Sequence, residues 1–132
     1  MARKATNRPT DGELGILRAL WRRGPSTVRE VQAEIERRSP GDPPGYTTVL
    51  KQLQIMTDKG LVVRDETRRA HVYAAREPRE QMQRRLVDDL VDRAFDGSAS
   101  QLVLRALAAK AASPAELQEI RSILDELEGE AR

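Results

Sequence analysis

Three Ser/Thr-x-x-Glu patterns, Thr10-Asp11-Gly12-Glu13, Thr27-Val28-Arg29-Glu30 and Ser113-Pro114-Ala115-Glu116, commit much of this chain to helix before its composition is considered. In each, the first hydroxyl can accept from the backbone N–H three residues on, while the glutamate reaches back to the first N–H. Two of the amides that a helix start leaves unpaired are thereby satisfied together. After the first pattern, Leu14, Leu17, Leu20 and Trp21 recur on one side at helical spacing, and Gly24-Pro25 ends the run. A helix to about Trp21 is predicted, with Trp21 in the core. After the second, Val28, Val31 and Ile35 supply the stripe of a short amphipathic helix to about Arg37. The third places proline at the first helical position, where no amide donor is needed, and Leu117, Ile120, Leu124 and Leu127 continue at heptad-like spacing to about Glu128.

Between these helices the pattern changes. Ser39 to Gly45 holds Pro40, Pro43 and Pro44, which lack amide donors, and reads as a loop. Tyr46 to about Lys59 is the third helix, closed by Gly60 as a left-handed cap. Leu61-Val62-Val63-Arg64 and Ala70-His71-Val72-Tyr73-Ala74 read as strands separated by the polar loop Asp65-Glu66-Thr67-Arg68-Arg69. Three helices followed by a hairpin with a basic tip is the order of a winged helix-turn-helix. Pro78 then opens a fourth helix running to about Asp96 before Gly97, with Met82, Leu86, Leu90 and Ala94 in one row and Val87, Val91 and Phe95 beside it. Gln101 to Ala109 is apolar on nearly every side, as a helix enclosed by other helices would be. The expected fold is mainly α with a small β-hairpin. A flexible basic N-terminal arm over 1–9 (Arg3, Lys4 and Arg8) precedes a winged helix-turn-helix domain over 10–76 and a C-terminal helical dimerisation region over 77–132.

Composition narrows the function. The chain has 132 residues, enough for one ordinary domain or two small modules, and excludes a large multidomain enzyme. Aromatic residues are only 3%, so Leu, Val, Ile and Ala must fill a small core that benefits from a partner. No apolar run approaches the ~20 residues of a membrane helix, and no signal-peptide pattern is present, so no membrane association is expected. The chain lacks cysteine, which removes disulfides, thiol nucleophiles and thiolate metal sites and fits a reducing cytoplasm. One histidine, His71, reads as a structural or groove-edge residue, since a metal site needs three or four ligands. No catalytic residue, metal or cofactor is expected. Residues 1–76 hold 15 Lys+Arg against 9 Asp+Glu, a net of +6, whereas 77–132 hold 8 against 12, a net of −4. One half is suited to a polyanion and the other to something else.

The third helix carries the candidate site. Val49, Leu50, Leu53 and Met56 form its inner side, and Thr47, Lys51, Gln54 and Asp58 share an outer strip at i, i+4, i+7 and i+11. An α-helix fits the major groove of B-DNA, where base edges carry an unambiguous donor and acceptor code. Thr47 and Thr48 offer hydroxyls and methyls, Gln52 and Gln54 offer amides, and Lys51 offers a cation for guanine or phosphate. Arg64, Arg68 and Arg69 on the hairpin can neutralise phosphates or enter the minor groove, and Tyr46 can give its hydroxyl to a phosphate. Val72 and Tyr73 read as hairpin packing. A competing reading stays open, because exposed helix faces are polar in general: a protein-interaction adaptor whose winged domain docks on an acidic partner. Asp88, Asp89, Asp92 and Asp96 lie opposite the Leu86-Leu90 row and read as a solvated face rather than an acid cluster.

Gly45-Tyr46-Thr47-Thr48-Val49-Leu50-Lys51-Gln52-Leu53, then Asp58-Lys59-Gly60-Leu61-Val62 and Arg69-Ala70-His71-Val72-Tyr73, resembles the penicillinase-repressor (BlaI/MecI/CopY) family. Leu20-Trp21 before Gly24-Pro25 and Thr27-Val28-Arg29-Glu30-Val31 are similar to it as well, so the likeness spans nearly the whole chain. The resemblance implies a cytoplasmic transcriptional repressor, homodimeric on a palindromic operator in double-stranded DNA, governing a β-lactamase or stress-response gene. It implies base reading by the third helix, wing contacts to the backbone, and dimerisation through Met82, Leu86, Leu90, Phe95, Leu102, Val103, Leu107, Leu117, Ile120 and Leu124. Copper-responsive members carry a C-terminal cysteine cluster that this chain lacks, which excludes Cu(I) sensing by that route. Members paired with a β-lactam sensor protease are cut in the fifth helix at an Asn-Phe bond. The aligned segment here has Arg105-Ala106 at that bond, so these residues would flank any cleavage by such a partner, and the inducing route stays open.

Overall fold

The computed structural model describes residues 8–131, so Arg3 and Lys4 of the expected arm lie outside the described residues. Helices α1 (Asp11–Arg23), α2 (Val28–Arg38) and α3 (Tyr46–Lys59) precede strands β1 (Val62–Asp65) and β2 (Val72–Ala75), and α4 (Arg79–Ala94), α5 (Ala99–Ala109) and α6 (Pro114–Glu130) follow. The order is that of a winged helix with further helices appended. Two compact units result, the first ending at Arg84 and the second beginning at Arg85.

All three Ser/Thr-x-x-Glu patterns form reciprocal caps. The Thr10 amide donates to Glu13 Oε1 at 2.9 Å and the Glu13 amide to Thr10 Oγ1 at 3.2 Å. The equivalent pairs are 2.9 and 3.3 Å at Thr27 and Glu30, and 2.8 and 3.1 Å at Ser113 and Glu116. In the first unit α1, α2 and α3 close around Ile16, Leu17, Leu20, Val31, Val49, Leu53 and Met56, all buried. Each such side chain contributes about 2 kcal/mol by leaving water.

Two buried carboxylates fasten these helices. Glu13 of α1, already capping its own helix, accepts from Lys59 Nζ at 2.8 and 3.1 Å, which ties the start of α1 to the end of α3. Glu34 of α2 accepts from Arg22 Nε at 2.9 Å and Arg37 at 2.8 Å, with Arg38 at 3.7 Å. The hydrogen bond from Arg22, then that from Arg37, holds the Glu34 carboxyl below the ordinary glutamate range despite its burial.

The hairpin is antiparallel, with Val62 opposite Ala75 and Asp65 opposite Val72. Its second strand begins later than the alternation of residues 70–74 predicts, leaving Ala70 and His71 in the loop. The cause lies across the tip. Asp65 Oδ1 accepts from the Thr67 amide at 2.9 Å and the Thr67 hydroxyl at 2.6 Å, so the chain turns away immediately after β1 and the loop widens. Ser26, in the turn between α1 and α2, pairs with β2 as well: its amide donates to Tyr73 O at 2.9 Å and the Tyr73 amide to Ser26 O at 2.8 Å. Tyr73 is buried beneath this bridge. Trp21 is only partly buried, and its Nε1 donates to Glu77 O at 3.0 Å, fastening α1 to the segment after the hairpin.

Pro78 sits just outside α4 rather than in its first turn, its carbonyl accepting from the Met82 amide at 3.2 Å. The helix stops at Ala94, short of the expected Asp96, because Asp96 and Gly97 adopt left-handed φ of 50° and 80° and the Gly97 amide returns to Val91 O at 2.9 Å. In the second unit neither α5 nor α6 contains a buried residue. The enclosure expected of α5 is therefore absent from the single chain, where Leu104 and Leu107 are 58% and 40% exposed.

Candidate nucleic-acid interface

Pro43-Pro44-Gly45 delivers the chain to α3 without a side-chain cap, and Gly60, with a left-handed φ of 81°, ends it. Between these stops, burial of Val49, Leu53 and Met56 fixes the rotation of the helix about its axis. Thr47, Lys51, Gln54 and Asp58 are consequently all exposed on one strip, with Thr48 beside them. Ile55 shares this side and is 43% exposed, an apolar group suited to a thymine methyl that the sequence reading did not select. Its signal was the helical offset of one residue from Gln54.

Gln52 occupies a flank instead. It is half-buried against α1, where a Cβ added to Gly12 would lie 2.5 Å from Gln52 Nε2. A glycine at position 12 makes room for that amide. Tyr46 faces the opposite flank, and the Arg29 guanidinium lies over its ring at 4.8 Å from the centroid, a cation–π contact. Arg29 was also missed by the sequence reading, although its position two residues after the Thr27 cap puts it on the exposed side of α2.

The three hairpin arginines are not equivalent. Arg64 stands opposite Tyr73 in the ladder, donates from Nε to Glu66 Oε2 at 2.7 Å, and is kept charged first by a hydrogen bond with Tyr73 and then by Glu66. It belongs to the base of the wing. Arg68 and Arg69 are exposed in the loop, where Arg68 lies close enough to Asp65 to help hold that carboxyl charged. Between the N-terminal ends of α2 and α3 and this loop opens a groove of about 310 Å³, walled by Thr27, Arg29, Tyr46, Leu50, Arg69 and His71.

The arrangement offers hydroxyls, an amide and an ammonium on one convex strip, with the guanidinium groups of Arg29 and Arg69 gathered at the groove on its Tyr46 flank. It can bind a polyanion in a groove. Among the described residues no His/Cys/Asp/Glu group could hold a metal ion, and no helix is long and apolar enough to cross a membrane. Of the residues assigned to dimerisation, Met82 is buried in the first unit, whereas Leu86, Phe95, Leu102, Leu117 and Ile120 are half-buried and Leu90, Val103, Leu107 and Leu124 exposed in the second. Leu104, Ile123 and Leu127 are exposed there too. Arg105 and Ala106 lie on α5 and are exposed.

Comparison with known proteins agrees with this fold. The chain superposes on a solved chain of the hsRosR-S4 complex with a TM-score of 0.52 at 19% identity, covering 100% of both chains, a likeness of fold alone. It is 34% identical over 95 residues to the transcriptional regulator BlaI from two strains of Mycobacterium tuberculosis, an alignment spanning 71% of this chain and 67% of each relative. The penicillinase repressor family matches residues 9–126. The chain therefore belongs to the penicillinase repressor family of transcriptional regulators.

Proposed function

We propose that this regulator is a repressor that binds a palindromic operator in double-stranded DNA as a homodimer, with α3 in the major groove and the hairpin wing on the backbone. The observation that carries this reading is the outer strip of α3, whose Thr47, Lys51 and Gln54 are exposed while the opposite side of the same helix is completely buried. The positive half of the chain supports it. The apolar side chains that α5 and α6 leave exposed support a two-fold dimer, since a second copy would cover them. Recognition helices of such a dimer enter successive major grooves about one helical turn, ~34 Å, apart. Repression then results from occluding a promoter in the cytoplasm, that of a β-lactamase or stress-response gene by analogy with the family. A sensor protease is the corresponding partner, and the exposed Arg105-Ala106 bond is where cleavage would release the operator.

The test is selection of genomic fragments by the purified protein at about physiological salt, where non-specific phosphate attraction is largely screened. A shared palindrome upstream of a few genes is expected. On that palindrome Lys51→Ala should weaken binding about tenfold or lower the salt slope by about 1, according to whether Lys51 reads a base or a phosphate. Fragments without a common motif, or a Lys51→Ala protein unchanged in both measures, would overturn the reading.

A further inference from the structure

The groove between α2, α3 and the wing loop plays no part in base reading, yet its walls are unusual. Arg29 enters from α2, Arg69 and His71 from the loop, and Tyr46 from the start of α3, over a floor that includes Val28, Leu50 and the buried Tyr73. No Asp or Glu lines it. The nearest carboxylates of the surrounding elements are already engaged. Glu30 of α2 caps Thr27 and pairs with Arg23 at 2.9 Å, and Asp65 of β1 holds the Thr67 amide and hydroxyl. Arg68, adjacent on the loop, adds a further cation. The result is an open, half-apolar recess ringed by cationic and hydrogen-bond-donating groups, the chemistry of a phosphodiester seat.

Its place in the fold names the occupant. When a recognition helix lies in the major groove, its N-terminal residues meet base edges while the preceding helix crosses the backbone. The groove stands where the starts of α2 and α3 meet, at Thr27 and Tyr46. We propose that it seats a backbone phosphate of duplex DNA, and that His71 takes up a proton as the phosphate enters, making DNA affinity rise as pH falls through the histidine range. The inference rests on the α3-in-groove reading above.

A phosphate beside an imidazole favours the charged form, and histidine is the side chain whose charge changes between about pH 5 and 8. His71 is the one histidine of the chain, so replacing it tests this linkage directly. The sign follows from reciprocity. If DNA raises proton affinity, protons raise DNA affinity by the same factor, so binding tightens on acidification.

The experiment measures affinity of the full chain for a random-sequence duplex of about three helical turns, ~30 base pairs, at constant low salt across this pH range. Backbone contacts do not depend on sequence, so no operator is needed. Wild type should bind about five- to tenfold tighter near pH 6 than near pH 8, a single linked proton giving at most tenfold per pH unit. His71→Gln, a change on an exposed loop, should lose this slope whatever its affinity near pH 8. Arg29→Ala should lower the salt slope by up to about 1. Affinity independent of pH in wild type, or a slope that survives in His71→Gln, would overturn the inference while leaving DNA binding intact; no binding to any duplex would overturn the DNA reading itself. Inorganic phosphate titrated into the free protein, with the His71 ring followed by NMR, covers the other source of this chemistry. A saturable shift there, together with duplex binding that shows no His71-dependent pH slope, would assign the groove to a free phosphoryl ligand and overturn the backbone assignment.

Discussion

In the unit that ends at Arg84, Ile16, Val31, Val49 and Leu53 are wholly shielded by their own chain, whereas in the unit that begins at Arg85 even Leu104, Ile123, Leu124 and Leu127 remain more than half exposed. The helices are equally well begun in both. Thr27 and Ser113 head capping boxes of nearly identical geometry. Local signals therefore make a helix, but packing decides whether it is stable alone, since an isolated helix of this length is marginal in water. The first unit shields its core with its own residues, whereas α5 and α6 contain no buried residue.

The sharpest way to break this comparison is to charge the second unit. Leu107→Glu combined with Leu124→Glu should leave a monomer by sedimentation equilibrium and weaken binding to a two-site operator by roughly a hundredfold or more, because the linked second contact is lost. An unchanged sedimentation profile would mean that these residues do not cover one another in a dimer. Next in size is a cavity in the first unit. Leu53→Ala should cost about 3 kcal/mol in urea denaturation of that unit, with no dependence on protein concentration.

The caps give a smaller and more telling contrast. Thr27→Ala and Ser113→Ala should each cost about 1 kcal/mol. The loss at Thr27 should be the same at every concentration, and the loss at Ser113 should appear in a melting transition that shifts with concentration; matching behaviour would erase the distinction between the units. The smallest effect concerns pH. Glu34 titrates below its ordinary value of 4.5, so its arginine contacts add stability above that value, which is lost as pH falls from there through the folded-state value. Stability of Glu34→Gln should therefore fall less steeply than wild type below about pH 4.5, as read by denaturation at a series of acid pH values.

How far residue patterns reach is plain from particular positions. Each capping box formed, and the i, i+4, i+7 rule put Thr47, Lys51 and Gln54 on one exposed strip, because burial of the facing residues leaves a helix no rotational choice. Ala70-His71 has the alternation of a strand, yet it is loop, since the Asp65–Thr67 hydrogen bonds decide where the ladder opens. Gln52 is only a third of a turn from the strip's edge, and a periodic pattern does not tell a solvent-facing flank from one that rests on Gly12. Arg29 was hidden because the legible feature of α2 is its apolar stripe, while its meeting with Tyr46 depends on how two helices cross. The exposure of α5 is a fact about one chain, and composition speaks of what must be covered without saying by which copy.

The two hydrogen bonds between Ser26 and Tyr73 tie the hairpin to the turn between α1 and α2, not only to itself. If α3 and the wing hold a duplex as proposed, that tie makes them like the jaws of a locked caliper, set at one opening. A duplex gripped by such a tool must bring its own backbone to that width. On the proposed reading, sequences that bend or narrow at little cost would be favoured even at base pairs no side chain touches, and part of the operator code would be written in the stiffness of the DNA.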